Sequence, residues 1–166
     1  MASSRRRFLR SIVPDGDGGR HRRRARAPCQ HGRVTDANSV IPADFRSLLE
    51  QPLYAHLGTV RPDGSVQVNP MWFLFDGEHI RFTHTTKRGK FRNLQQNPSM
   101  AISVVDPENP IRYLEVRGRL VAAEPDPTGA FYVELSKRYG MESPAPADSA
   151  DRVVLVMSVE KTTKQG

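Results

Sequence analysis

Two tight-turn signals, Pro62-Asp63-Gly64 and Asp76-Gly77, constrain what this chain can fold into more than anything else in it. Each lies between runs rich in β-branched and aromatic residues, and residues 53–61, 65–75 and 78–84 read as three strands. A two- or three-residue connection cannot carry the long crossover that parallel strands need. The three strands therefore pair antiparallel.

The flanking segments continue the pattern. Residues 42–51 read as a helix, with Pro42 in its first turn, Phe45, Leu48 and Leu49 on one face, and Pro52 as its stop. Residues 87–97 read as a second helix with Phe91 and Leu94 inward, ended by Asn97-Pro98. Residues 99–106 and 111–123 form two more strands. Residues 126–139 form a third helix, with Phe131 and Leu135 four apart and Gly140 as its C-cap. After a proline-bearing loop over 141–151, residues 153–159 make a last strand. Six antiparallel strands with short flanking helices give a β-rich α+β barrel rather than a doubly wound sheet.

Charge divides the chain. Residues 1–33 hold ten arginines against Asp15 and Asp17, a balance of +8, while residues 34–166 carry fifteen basic and sixteen acidic side chains, a balance of −1. The basic character belongs to the first forty residues, which read as a disordered arginine-rich tail too polar to bury anything, or as a start assigned too far upstream. Ser4-Arg5-Arg6-Arg7-Phe8-Leu9-Arg10 is similar to a twin-arginine export motif, but Ser11-Ile12-Val13-Pro14-Asp15 provides no apolar segment behind it. An arginine arm on nucleic acid would want interleaved aromatics, and only Phe8 is there. Asp15-Gly16-Asp17-Gly18 lacks the spaced ligands of a calcium loop. Cys29 with His31 makes at most half a metal site, and one cysteine excludes a disulfide framework. No metal and no membrane span are expected, and a reducing cytoplasmic setting follows from the cysteine count. Residues 41–166 are left as one domain.

The familiar catalytic signatures are missing: no G-x-S-x-G, H-E-x-x-H, Walker or dinucleotide-binding pattern occurs. One stretch is unusual. Residues 79–105 contain no acid and five bases, Arg81, Lys87, Arg88, Lys90 and Arg92, four of them at the start of the 87–97 helix. Cations there oppose the helix dipole, and a bound anion reverses the sign of that energy. Thr83, Thr85 and Thr86 offer hydroxyls and a helix cap beside it, and Gly89 lets a ligand approach the backbone. A solvated basic face is the plain alternative. RNA stacking on Trp72, Phe73 and Phe75 is another, although these alternate along a strand as core residues do. A cleft ligand with one phosphate suits the cluster better.

Four blocks in order then carry a resemblance: His56-Leu57-Gly58-Thr59-Val60-Arg61-Pro62-Asp63-Gly64; Asn69-Pro70-Met71-Trp72-Phe73; residues 83–94 with Asn97-Pro98; and Tyr113-Leu114-Glu115-Val116-Arg117-Gly118. From about Ile41 to Gln165 the chain resembles the pyridoxamine-phosphate-oxidase-like flavin and deazaflavin oxidoreductases, and most nearly their actinobacterial branch that uses coenzyme F420. The resemblance implies a split β-barrel homodimer with cofactor at the interface. It implies that Arg88 and Lys90 hold the cofactor phosphate, with His84, Thr85, Thr86, Lys87, Gly89 and Asn93 near it. Val68, Asn69, Pro70, Met71 and Trp72 would wall the ring system. Ile111, Arg112 and Tyr113 would approach from the partner subunit, Ile111 standing where many relatives carry an aromatic. Lys87 and Arg92 become the contacts for the anionic tail that distinguishes F420 from FMN. The implied reaction is hydride transfer between F420 and a small organic substrate. FMN in an oxidase or reductase of the same fold, or a non-catalytic cofactor or haem binder, are the alternatives. No catalytic residue is implied, and a proton would come from solvent, His84 or Tyr113.

Overall fold

The computed structural model describes residues 36–166; the arginine-rich stretch, with Cys29 and His31, lies outside them. After a helical turn α1 (Ala37–Val40) and a 3-10 turn over Ala43–Phe45, α2 (Ser47–Glu50) leads into β1 (Ala55–Val60). The chain continues through β2 (Val66–Met71), β3 (Leu74–Phe75), β4 (Ile80–Thr85), α3 (Gly89–Gln96), β5 (Ser99–Val105) and β6 (Tyr113–Pro125). Then come α4 (Ala130–Arg138), a 3-10 turn over Ser149–Asp151, β7 (Arg152–Met157) and β8 (Lys161–Gln165).

The strands run in the order β2-β1-β5-β6-β7-β4-β3, with β8 also on β6, and every pairing is antiparallel. The expected β-rich split-barrel class is present, but with eight strands where six were expected. The two extra strands have different causes. β8 is polar along its whole length where it pairs with β6, so its sequence carries no apolar alternation. The other comes from a break: the single strand expected over 65–75 parts at Trp72-Phe73, and its halves become the two opposite ends of the sheet. Tyr139, at the C-cap of α4, fixes that break. Its hydroxyl accepts from the Phe73 amide at 3.1 Å and donates to the Leu53 carbonyl at 2.6 Å, and Trp72 stacks on its ring at 5.3 Å and 15°.

The first turn is built as its sequence suggests. Gly64 takes φ 83°, and the Asp63 carboxylate accepts from the Ser65 amide at 2.9 Å. The second closes tightly as well: the Asp76 amide donates to the His79 carbonyl at 3.1 Å, leaving Gly77 and Glu78 between them, and the Asp76 carboxylate accepts from the amides of Glu78 and His79. The helix expected over 42–51 resolves into the 3-10 turn and α2, because Arg46 bonds back to Ala43 rather than four residues away. The third helix begins at Ala130, where the Asp126 carboxylate receives the amides of Ala130 and Phe131.

β6 is the spine. Its first half pairs with β5 and β8, its second half with β7, and a register shift between Leu120 and Ala122 marks the bend. Gly118 sits at that bend, where a Cβ would lie 1.8 Å from the Ser158 carbonyl oxygen, so no other residue fits unshifted. The curled sheet encloses Leu57, Phe73, Phe82, Ile102, Leu114 and Leu155, all buried.

Candidate functional site

The site begins with a helix face of the wrong polarity. On α3, Lys90, Asn93 and Leu94 are the buried residues, one turn apart on the side packed against β1. Leu94 belongs there. Asn93 is accounted for, donating from Nδ2 to Thr59 Oγ1 at 3.2 Å and to Gln67 Oε1 at 3.1 Å. Lys90 is not accounted for in this way. It is 7% exposed, its ammonium reaches only the Met71 sulfur at 3.6 Å, and among the described residues no carboxylate pairs with it. Burial, then Arg88, push its pKa below the ordinary lysine value.

Beside it on β4, His84 is 4% exposed and its Nε2 has no hydrogen-bond partner. Burial first, then the charges of Lys90, Arg88 and Arg152, bring its pKa down to about 4. The imidazole is neutral at physiological pH. A buried ammonium without a counter-ion and a buried imidazole without a partner are both unfavourable unless something anionic joins them.

Two cavities meet at these residues. One, of about 360 Å³, is walled by Tyr54, Trp72 and Tyr132, with Thr83 and Arg152 at its side. The other, of about 410 Å³, is polar and runs past Gln67, Asn69, Gly89 and Lys90. They share Pro70, Met71, His84 and Arg88, which places the cationic centre at the junction of an aromatic arm and a polar arm. β2, an end strand of the sheet, runs along the cleft, and Pro70 within it withholds an amide from any further strand.

The expected site residues divide into three groups. Asn69, Pro70, Met71, Trp72, His84, Thr85, Arg88, Gly89 and Lys90 line the two cavities. Thr86, Lys87 and Asn93 lie next to them but are engaged elsewhere: the Thr86 amide and the Lys87 ammonium both bind Asp151, the latter at 2.5 Å. The expected threonine cap is also absent. α3 begins at Gly89, with Arg88 as an N-cap that makes no side-chain bond, and Thr85 Oγ1 accepts instead from the Lys87 amide at 3.4 Å. The third group lies apart. Val68 and Tyr113 line a separate depression of about 330 Å³ with His56. Ile111 is 65% exposed, and Arg112 binds Asp106 and the Asp44 carbonyl over the Phe45 ring.

Residues that sequence reasoning missed complete the aromatic arm. Arg152 donates to Asp148 at 2.9 Å and to Thr83 Oγ1 at 2.9 Å, and its guanidinium lies 4.5 Å from the centre of the Tyr132 ring. Trp72 packs on both Tyr139 and Tyr132. These side chains come from β7, α4 and the β2–β3 break, and no local pattern in sequence joins them.

Comparison with known proteins agrees with the fold. The profile of the pyridoxamine 5'-phosphate oxidase family matches residues 41–166. A solved structure named F420 reductase is 58% identical, with a TM-score of 0.74, covering 75% of this chain and 100% of that one. A conserved hypothetical protein from Mycobacterium tuberculosis is 20% identical, with a TM-score of 0.61 over 76% of this chain and 84% of its own. General stress protein 26 from Bacillus anthracis is 18% identical, with a TM-score of 0.58 over 73% and 90%; these two share the fold alone. No curated protein matches the chain.

Proposed function

The chain belongs to the pyridoxamine 5'-phosphate oxidase family over residues 41–166, and on that footing we propose that it is an F420H2-dependent reductase acting on a small organic substrate. The observation that carries the reading is the junction at Arg88 and His84, with the buried Lys90 on its polar side. A cationic centre between two arms suits a phosphate in the interior of a ligand, esterified on both sides, better than a phosphate at its end. F420 has that form, and the 58% identity to a protein named F420 reductase supports the same choice.

Lys90, Arg88 and the free first amides of α3 would hold the phosphate. Pro70, Met71 and Trp72 would wall the ring, and Tyr54, Trp72 and Tyr132 would face the substrate. Bound F420H2 supplies the hydride; the chain's residues orient ring and substrate and exclude water from the aromatic arm. Of the two cations expected to contact the anionic tail, Lys87 is already paired with Asp151, which leaves Arg92. A second copy of the chain would bring Ile111, Arg112 and Tyr113 to the site, and Tyr113 lines the same depression as Val66 and Val68, 66% and 55% exposed.

Titration of the purified chain with F420 and with FMN, read by fluorescence at low salt, tests the reading. F420 should bind at least about tenfold more tightly, since its tail adds charges that FMN lacks, and added salt should narrow the gap. Equal affinities, or stoichiometric FMN on the purified protein, would assign the site to a flavin. Tight F420 binding without oxidation of F420H2 by any electron-poor acceptor would make the chain a binder and not a reductase.

A further inference from the structure

We propose that His84 is a proton-accepting member of the anion cradle: when a phosphate group enters beside Lys90 and Arg88, the imidazole takes a proton from solvent and becomes a further cation of the site. This rests on the reading of the cleft as a phosphate site and adds a proton to its binding equilibrium.

The geometry is one-sided. From α3, Lys90 and Arg88 act on the imidazole, and from β7 comes Arg152. β2 lines the same cleft with uncharged Pro70 and Met71. On β4 itself, the neighbours Thr83 and Thr85 do not titrate, and Arg81 is taken up by Asp76 and Glu124. The carboxylates in reach of this corner are engaged: Asp148 binds Arg152 and Asp151 binds Lys87. Among the described residues no carboxylate pairs with Lys90 or Arg88, the two larger influences on His84, while Asp148 partly offsets the charge of Arg152. In the ligand-free protein a proton on His84 would add another positive charge to a buried cluster, so the ring stays neutral down to a pKa of about 4. An anion of charge −1 or −2 changes the local sum. The imidazolium is then favoured, on a ring that lines both cavities beside Arg88. Because the occupied form binds the proton more tightly, the anion binds more tightly as pH falls. The gain begins at the occupied pKa and levels off near 4, where the empty form is protonated as well.

The test uses the full chain, labelled with nitrogen-15 throughout, backbone amides and histidine rings alike, and sulfate as the probe. Sulfate mimics the phosphate group and keeps its charge of −2 between pH 4 and 8. The rings are titrated by NMR with and without saturating sulfate at fixed ionic strength, and sulfate affinity is measured across the same range. The proposal expects the His84 titration to move up by about two pH units and the sulfate Kd to tighten about tenfold from pH 8 to 5. His84→Gln should bind sulfate at pH 8 but fail to tighten on acidification. If the Lys90 amide responds to sulfate while His84 keeps its low titration and affinity stays flat, this proposal is overturned and the cradle stands. If neither residue responds, the cradle itself is wrong. The wild-type titration decides the matter even if the variant does not fold.

Discussion

Lys90 occupies a position on α3 where a leucine would pack, and that makes it the residue whose removal separates binding from folding. In Lys90→Met the uncompensated ammonium is gone and the volume is kept. The ligand-free protein should melt at the same temperature or slightly higher, while the Kd for a phosphate-bearing ligand should weaken by at least about tenfold, as charge-assisted hydrogen bonds are worth roughly 1.5–3 kcal/mol. Calorimetry of both states checks it; a variant that loses stability and keeps its affinity would contradict the assignment. His84 makes a separate prediction for the empty protein. Its folded pKa of about 4 lies below the ordinary histidine value of 6.5, so the unfolded chain binds the extra proton between those limits. Its contribution is fully present above pH 6.5 and is lost as pH falls towards 4, by up to about 3 kcal/mol. His84→Gln should flatten that part of a melting-temperature profile.

Among the elements, β6 and the β2–β3 break bear most directly on the cleft. Gly118→Ala puts a methyl group into the Ser158 carbonyl. With backbone rather than a flexible side chain in the way, it should destabilise by at least about 3 kcal/mol. Gly64→Ala has open space around it and only its φ of 83° to strain, so it should cost about 1 kcal/mol; urea unfolding of the pair tests the contrast. Tyr139→Phe removes the hydroxyl that holds the Phe73 amide and the Leu53 carbonyl. It should lower stability by about 1–2 kcal/mol and loosen Trp72, read as a change in its fluorescence. What was legible in sequence follows the range of the forces involved. Turns at Gly64 and Gly77, the helix around Leu94 and the strand cores at Ile102 and Leu114 rest on neighbours a few residues away, and all were expected. The break at Trp72-Phe73 was not, because apolar residues run through it and the partner that forces it, Tyr139, is 66 residues away. The basic turn drew attention to Lys90 and Arg88, yet its charge pattern could not show that Lys87 would be paired with Asp151 or that Arg152 and Tyr132 would complete the other arm.

For the molecule as a whole, the outward face of β2, β1 and β5 presents Val66, Val68 and Ala101 around a shallow depression that also contains Tyr113. A homodimer that covers this face would double the mass seen by light scattering of residues 34–166, and a clean monomer at micromolar concentration would remove the shared-site arrangement. The same shortened chain should melt within a few degrees of the full one and bind its ligand alike, since the removed residues are too polar and charged to bury a core and the family match begins at residue 41. The unpaired ammonium and imidazole beside β2 have a consequence in the cell. A protein with unsatisfied buried groups against an end strand of its sheet is stabilised by a ligand that satisfies them. Newly made chains that meet no ligand would open along that strand more often and be cut there by housekeeping proteases, so that the protein's half-life, and with it its abundance, would follow the supply of its ligand.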